Sequence, residues 1–144
     1  MVPAKKLGTT SKTSFVDKSI KLDEQTHYAV VAYHNDKNCN SEGSFTWILI
    51  PSPPTGVSVE KSPDGVLIHW DEKFIYYNSG YEIYRSTSEN GKYTKIATVS
   101  YNNKFIDTDA KPGKKYYYKI RAYDTNPDGK VYSNYTNPVG YTNK

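Results

Sequence analysis

The chain reads as an all-β antiparallel sandwich, and three observations carry that reading. Turn formers punctuate the sequence at Asn35-Asp36, Pro51 to Gly56, Pro63-Asp64-Gly65, Asn78-Ser79-Gly80, Glu89-Asn90-Gly91, Lys111-Pro112-Gly113 and Asn126-Pro127-Asp128-Gly129, close to the spacing of short sandwich strands. The runs between them are rich in Tyr, Val, Ile, Thr and Phe, which fit a pleated, half-buried surface. No window of helical length repeats apolar residues at i, i+3, i+4 and i+7, so helix is expected to be negligible.

Strand side chains alternate between faces. In Gly65-Val66-Leu67-Ile68-His69-Trp70 this puts Val66, Ile68 and Trp70 in the core, with Leu67 and His69 opposite. Gly80-Tyr81-Glu82-Ile83-Tyr84-Arg85 sends Tyr81 and Ile83 inward, and Glu82 and Tyr84 outward. Lys92 to Thr98 returns, and a short strand follows around Phe105 and Ile106. The longest strand is Lys115 to Tyr123, with Tyr116, Tyr118, Ile120 and Ala122 on one face and Lys115, Tyr117, Lys119, Arg121 and Tyr123 on the other. One face is apolar and the other basic and tyrosine-rich, as in a sheet packed on one side and wet on the other.

Composition narrows the class. The 144 residues suit one or two small domains. Mean hydropathy is low at -0.78, yet 15% of residues are aromatic, which disordered chains lack. The longest apolar run, Trp47-Ile48-Leu49-Ile50, is far short of the ~20 residues of a membrane helix, and no signal peptide is legible. Cys39 is alone, which excludes a disulfide framework. Residues 1 to 52 carry six lysines against five carboxylates, and the remainder thirteen Lys plus Arg against ten. Only Arg85 and Arg121 are arginines, so the guanidinium forks that favour phosphate and base recognition are scarce. Nucleic acid is not expected as a partner.

The sequence repeats internally. Phe15-Val16-Asp17 with Tyr28 to Tyr33 aligns with Phe105-Ile106-Asp107 and Tyr118 to Tyr123 at a constant offset of 90, and Lys6-Leu7 aligns with Lys95-Ile96 with one residue inserted. Residues 1–51 are therefore expected to be the last strands of a domain, and residues 52–144 a complete one. Pro51-Ser52-Pro53-Pro54 forms the junction, where proline stiffens the chain and cannot extend a ladder. The half domain is expected either to belong to a longer chain or to be completed by another segment or subunit.

Residues 53 to 143 resemble a fibronectin type III domain, an immunoglobulin-like sandwich of seven strands without disulfide. The resemblance is carried by Pro53 to Val59 for the opening strand, by Val66 to Trp70 with its core tryptophan, and by Gly80 to Arg85. Its most specific part is Ala110-Lys111-Pro112-Gly113-Lys114-Lys115-Tyr116 to Ala122. It implies that Tyr116 is a corner tyrosine, buried up to a hydroxyl bonded near the preceding turn. Ala110 stands where the family usually has leucine. In the first copy Ile20, Leu22, Asp23 and Thr26 take the leucine, proline, glycine and tyrosine places, so Thr26 cannot make the corner.

No converging catalytic constellation is legible. His34, Asp36 and Cys39 share a loop, but structural zinc usually shows paired ligands. His69 and Asp71 share a strand face, without a Gly-x-Ser-x-Gly elbow to complete a triad. Asp124 to Gly129 loosely resembles a calcium loop but lacks the later glutamate, and its Pro and Gly explain it as a turn. Asn134-Tyr135-Thr136 is a short glycosylation sequon. No cofactor or metal is expected.

Thirteen of the fifteen tyrosines lie in residues 53 to 144, with Tyr84, Tyr117 and Tyr123 expected outward and Tyr76 and Tyr77 in a loop. With Arg121 they form the candidate surface for a glycan or partner protein; the competing account is cross-strand packing. The wording Gly-Tyr-Glu-Ile-Tyr-Arg-Ser resembles bacterial family members appended to secreted carbohydrate-active enzymes and surface proteins. That resemblance implies a non-catalytic, extracellular spacer whose partners are neighbouring domains of a larger polypeptide.

Overall fold

The computed structural model describes residues 4–34, 39–71 and 79–144. The expected turn at Asn35-Asp36, the loop tyrosines Tyr76 and Tyr77, and Asn78 lie outside them. Among the described residues all regular structure is β. Ahead of Pro51 come β1 (Thr26–Val30), β2 (Tyr33–His34), β3 (Cys39–Asn40) and β4 (Ser44–Ile48). After it come β5 (Ser58–Ser62), β6 (Gly65–His69), β7 (Ser79–Ser86), β8 (Thr94–Val99), β9 (Lys104–Asp107), β10 (Lys115–Asn126), β11 (Gly129–Tyr132) and β12 (Val139–Thr142).

Strands β5, β6 and β9 form one antiparallel sheet, and β8, β7 and β10 form the other. Both β11 and β12 pair with β10, at its end and its start. They fill one strand position in two pieces, so the sheets contain the seven positions of an immunoglobulin-like sandwich. At the break, Ser133 Oγ accepts from Ala122 N at 2.8 Å and Thr136 Oγ1 from Ile120 N at 3.0 Å. The N–H groups of Ser133 and Thr136 donate back to the carbonyls of Ala122 and Ile120 at 2.9 and 2.8 Å. Two hydroxyls thus stand in for ladder carbonyls and leave no break in the pairing of β10.

The core follows the alternation. Val66, Ile68 and Trp70 face Tyr81, Ile83, Tyr116, Tyr118, Ile120 and Ala122 across the sandwich, with Ala110 beneath. Trp70 and Tyr81 meet edge to face at 5.0 Å. The corner forms as the resemblance implied, with buried Tyr116 accepting at Oη from Lys111 N at 3.2 Å. Tyr118 donates its hydroxyl to Asp107 Oδ2 at 2.8 Å, and Arg85 Nη1 reaches both oxygens of the same carboxylate at 2.8 Å.

Two expectations need correction. Strand β10 runs past Tyr123 to Asn126 because Pro127-Asp128 alone makes the turn into β11, with Gly129 at φ 121°. The calcium-like segment is therefore mostly strand: Ser79 Oγ donates to buried Asp124 at 2.5 Å, and Asn126 turns to Leu49. Tyr123 lies on the outward face yet is only 7% exposed. Its cross-strand partner is Gly80, where a Cβ would come within 2.7 Å of the Tyr123 hydroxyl. The ring occupies the room that a side chain would take, and its Oη lies 3.2 Å from Ser100 Oγ.

The first segment repeats the hydrogen bonds of the second. Tyr28 donates to Asp17 Oδ2 at 2.9 Å, as Tyr118 does to Asp107. Ala32 and Ser41 exchange the bonds that Ala122 and Ser133 exchange: Ala32 N to Ser41 Oγ at 3.0 Å and Ser41 N to Ala32 O at 2.8 Å. Asp23 N donates to Ile50 O at 2.9 Å, as Gly113 N donates to Asn143 O at 2.6 Å. Asp23 and Gly113 share a left-handed backbone, at φ 60° and 75°.

At the junction Leu49, Pro51 and Pro54 are buried. Leu49 N donates to Asn126 Oδ1 at 2.9 Å, and Asn126 Nδ2 donates to Leu49 O at 3.4 Å. Ser52 N donates to Asp23 Oδ1 at 2.8 Å.

Burial separates the two tyrosine–aspartate pairs energetically. Tyr118→Phe takes a donor from a buried carboxylate and is expected to cost about 1.5–3 kcal/mol. Tyr28→Phe acts on a more exposed pair and is expected to stay within about 0.5 kcal/mol. Urea unfolding of the two variants measures both.

Candidate functional site

The outer face of β7 and β10 collects the candidate residues. Register sets Arg121 opposite Glu82, Lys119 opposite Tyr84, Tyr117 opposite Ser86 and Tyr123 opposite Gly80. Arg121 donates from Nε and Nη2 to Glu82 Oε2 at 2.9 and 2.7 Å. Tyr84 Oη donates to the same oxygen at 2.7 Å, and Lys95 Nζ donates to Oε1 at 3.1 Å. The Arg121 guanidinium lies over Tyr132 at 3.7 Å, with Tyr135 at 5.1 Å and Tyr84 at 5.4 Å, distances at which ring and cation attract. Tyr84 and Tyr135 meet at 5.1 Å with perpendicular planes.

Tyr84 and Arg121 thus belong to one cluster, and Tyr123 joins its edge through Tyr132, at 6.4 Å between ring centres. Tyr117 stands apart, over Gly140, where a Cβ would come within 2.9 Å of the ring. Lysines cover the remaining rings: Lys115 over Tyr117 at 5.0 Å, Lys119 over Tyr93 at 4.4 Å and Lys130 over Tyr123 at 3.9 Å. The face is a lattice of rings and cations rather than an open row of flat rings.

Glu82 is the member that the sequence did not single out. Alternation places it outward, but it is only 2% exposed, because Arg121, Tyr84 and Lys95 converge on it. Burial by itself pushes its carboxyl up; the hydrogen bonds from Tyr84, Arg121 and Lys95 and the charge of Arg121 outweigh that and bring it down to about 2. Burial, followed by the bond it donates to Glu82, raises the Tyr84 phenol well above its ordinary range. Tyr132 and Tyr135 were also missed: Tyr132 comes onto this face through its register opposite Tyr123, and Tyr135 lies in the break of the edge strand, where alternation gives no orientation.

The other candidates do not converge. His34 faces Cys39 across the β2–β3 pair, Asp36 lies outside the described residues, and among those residues no group of three His, Cys, Asp or Glu could hold a metal. His69 Nε2 lies 2.9 Å from Ser58 Oγ, whereas Asp71 accepts from Thr55 Oγ1 at 2.8 Å, so each turns to its own partner. Asn134 is exposed, while Thr136 of the sequon is engaged by Ile120. A cleft of about 210 Å³ at the junction, between Tyr28 and Ile48 on one side and Asn126 to Val131 on the other, is lined by neither histidine nor cysteine. Among the described residues no helix is long and apolar enough to cross a membrane.

Strand order and core define the class, an immunoglobulin-like antiparallel β-sandwich. No family model matches the chain. Part of it is similar to the amylopullulanase of Thermoanaerobacter thermohydrosulfuricus, 57% identical over 49 residues, which are 32% of this chain and 3% of that protein. A longer part is similar to the amylopullulanase of Thermoanaerobacterium saccharolyticum, 36% identical over 77 residues, 54% of this chain and 6% of that protein. These relatives are far larger polypeptides, of which the chain spans only a few per cent. A solved cytokine receptor complex shares the fold, with a TM-score of 0.58 and 18% identity over 76% of this chain and 62% of that one.

The Glu82 cluster gives a pH dependence with a definite sign. The carboxyl sits at about 2 when folded against an ordinary 4.5, so its contribution is complete above about pH 4.5 and is lost as pH falls towards 2. Linkage makes this about 3 kcal/mol. Urea unfolding from pH 6 to pH 2 should show the loss, and Glu82→Gln should lower stability at neutral pH and flatten that part of the profile.

Proposed function

We propose that this chain is a non-catalytic fibronectin type III spacer and presentation module of a larger secreted or cell-surface carbohydrate-active protein. The observation that carries the reading is the junction. Asn126, the last residue of β10, offers its side-chain amide to both backbone groups of Leu49, and the prolines that follow remove donors and fix φ. Such a joint sets a direction and a reach between what lies on its two sides. The similarity to short segments of two amylopullulanases supports a place within a polysaccharide-acting polypeptide, and with it an extracellular location. On this reading Tyr84, Tyr117, Arg121 and Tyr123 brace the sheet, because their ring faces are taken by cations.

Deleting residues 53–144 from the parent polypeptide should lower activity on insoluble polysaccharide and leave turnover of soluble substrate unchanged. Equal loss on both would overturn the spacer reading. The isolated chain should stay in the supernatant with insoluble polysaccharide; sedimentation abolished by Tyr117→Ala would instead make the tyrosine face a glycan-binding surface. Asn126→Ala should widen the distribution of interprobe distances across the joint, read by spin labels on the two sides, while leaving the sandwich folded.

A further inference from the structure

We infer that the face of residues 5–50 bearing Leu7, Phe15, Tyr28 and Val30 is a docking surface for three antiparallel strands of the β5–β7 kind, from a segment other than the chain's own β5–β7. This rests on the module reading only in placing the chain within something larger.

The template is the second copy. At the offset of 90, Tyr28 and Val30 correspond to Tyr118 and Ile120, both fully buried in the core against β6 and β7. Phe15 and Leu7 correspond to Phe105 and Ile96, both half-buried against that core. In the first copy Val30 is 70% exposed, Phe15 53% and Leu7 45%. Three hydrogen-bond patterns of the sandwich, the Tyr–Asp, Ala–Ser and turn-closing bonds, are already reproduced, although residues 4–25 hold no strand. What differs is the cover. In the second copy the cover is β5, β6 and β7, and the Lys6-Leu7 match to Lys95-Ile96 of β8 marks where the incoming strands would join.

The edge points to the same occupant. Strand β10 pairs on one side with β11 and β12 and on the other with β7. Among the described residues, strand β1 pairs only with β4, in a two-stranded sheet, leaving its β7-side edge as a template for strand addition. In the register of β10 with β7, Ile120 faces Ile83 and Tyr118 faces Arg85. The docking strand would therefore set an apolar residue opposite Val30 and a basic one opposite Tyr28, beside Asp17, just as Arg85 reaches Asp107. A second copy of this chain is the poorer occupant, because its own β5–β7 are committed to its own core.

Two measurements test this. In the 144-residue chain, monomeric by light scattering, amides of Ala29 and Val31, on the side away from β4 and Ser41, should exchange at least about 100-fold faster than those of Lys119 and Arg121, which face β7, as expected for an uncovered unit. Equal protection in the monomer would overturn the proposal, as would protection that is lost on dilution of a dimer, which would make a second copy the occupant. In a chain with residues 53–93 placed directly ahead of Lys5, in the repeat's own frame, the Ala29 and Val31 amides should slow by about 100-fold and dye binding to exposed apolar surface should fall. No slowing would overturn the assignment of β5–β7-like strands. Both readouts concern the isolated chain, so they fail independently of the polysaccharide experiment.

Discussion

Two of the buried carboxylates, Glu82 and Asp107, lie on opposite faces of the β7–β10 ladder, and much of the sandwich is organised around satisfying them. Glu82 on the outer face takes Arg121, Tyr84 and Lys95; Asp107 at the core edge takes Arg85 and Tyr118. A buried carboxylate without a partner would cost several kcal/mol, and a guanidinium meets the need with several donors in one plane. The chain has two arginines, and each serves one of these carboxylates. The arginine scarcity that argues against nucleic acid thus has a positive side. Both guanidiniums are held in place, and each also lies against tyrosine, Arg85 over Tyr116 and Arg121 over Tyr132.

Several of the tyrosines take part in this arrangement. A cation over a ring contributes roughly 0.5–1 kcal/mol at an exposed site, and the same ring shields the ion pair below it from water, which lowers the local dielectric and strengthens the pair. Tyr132 reaches Arg121 from the end of β11, where it pairs opposite Tyr123, and Tyr135 reaches it from the break between β11 and β12. Ser133 and Thr136 make the split affordable by returning hydrogen bonds to Ala122 and Ile120.

Much of the fold was legible because it is encoded locally. Alternation within single strands identified Val66, Ile68, Trp70, Tyr81, Ile83 and the inward residues of β10, and the resemblance carried by the segment around Pro112-Gly113 implied the Tyr116 corner. What escaped was encoded between strands. The burial of Glu82 depends on the register that sets it opposite Arg121, and that of Tyr123 on Gly80 lying across from it; one strand read alone carries neither fact. The repeat was visible where the offset stayed at 90 or slipped by one residue. The Ala32–Ser41 match to Ala122–Ser133 lies beyond a loop of different length, so it emerged only from the hydrogen bonds.

The junction shows why a single amide can matter more than its bond strength. Proline at positions 51, 53 and 54 denies the linker three donors, so no ladder can run through it and its direction must be fixed from outside. Asn126 does this because an amide side chain, like a peptide group, carries a donor and an acceptor side by side. At the end of β10 it acts as one more rung, bonding to Leu49 on the far side of the linker. The orientation of the first segment is thereby tied to the strand on which β7, β11 and β12 also pair. A change in β10 would shift the joint as well as the core, and the two are expected to vary together.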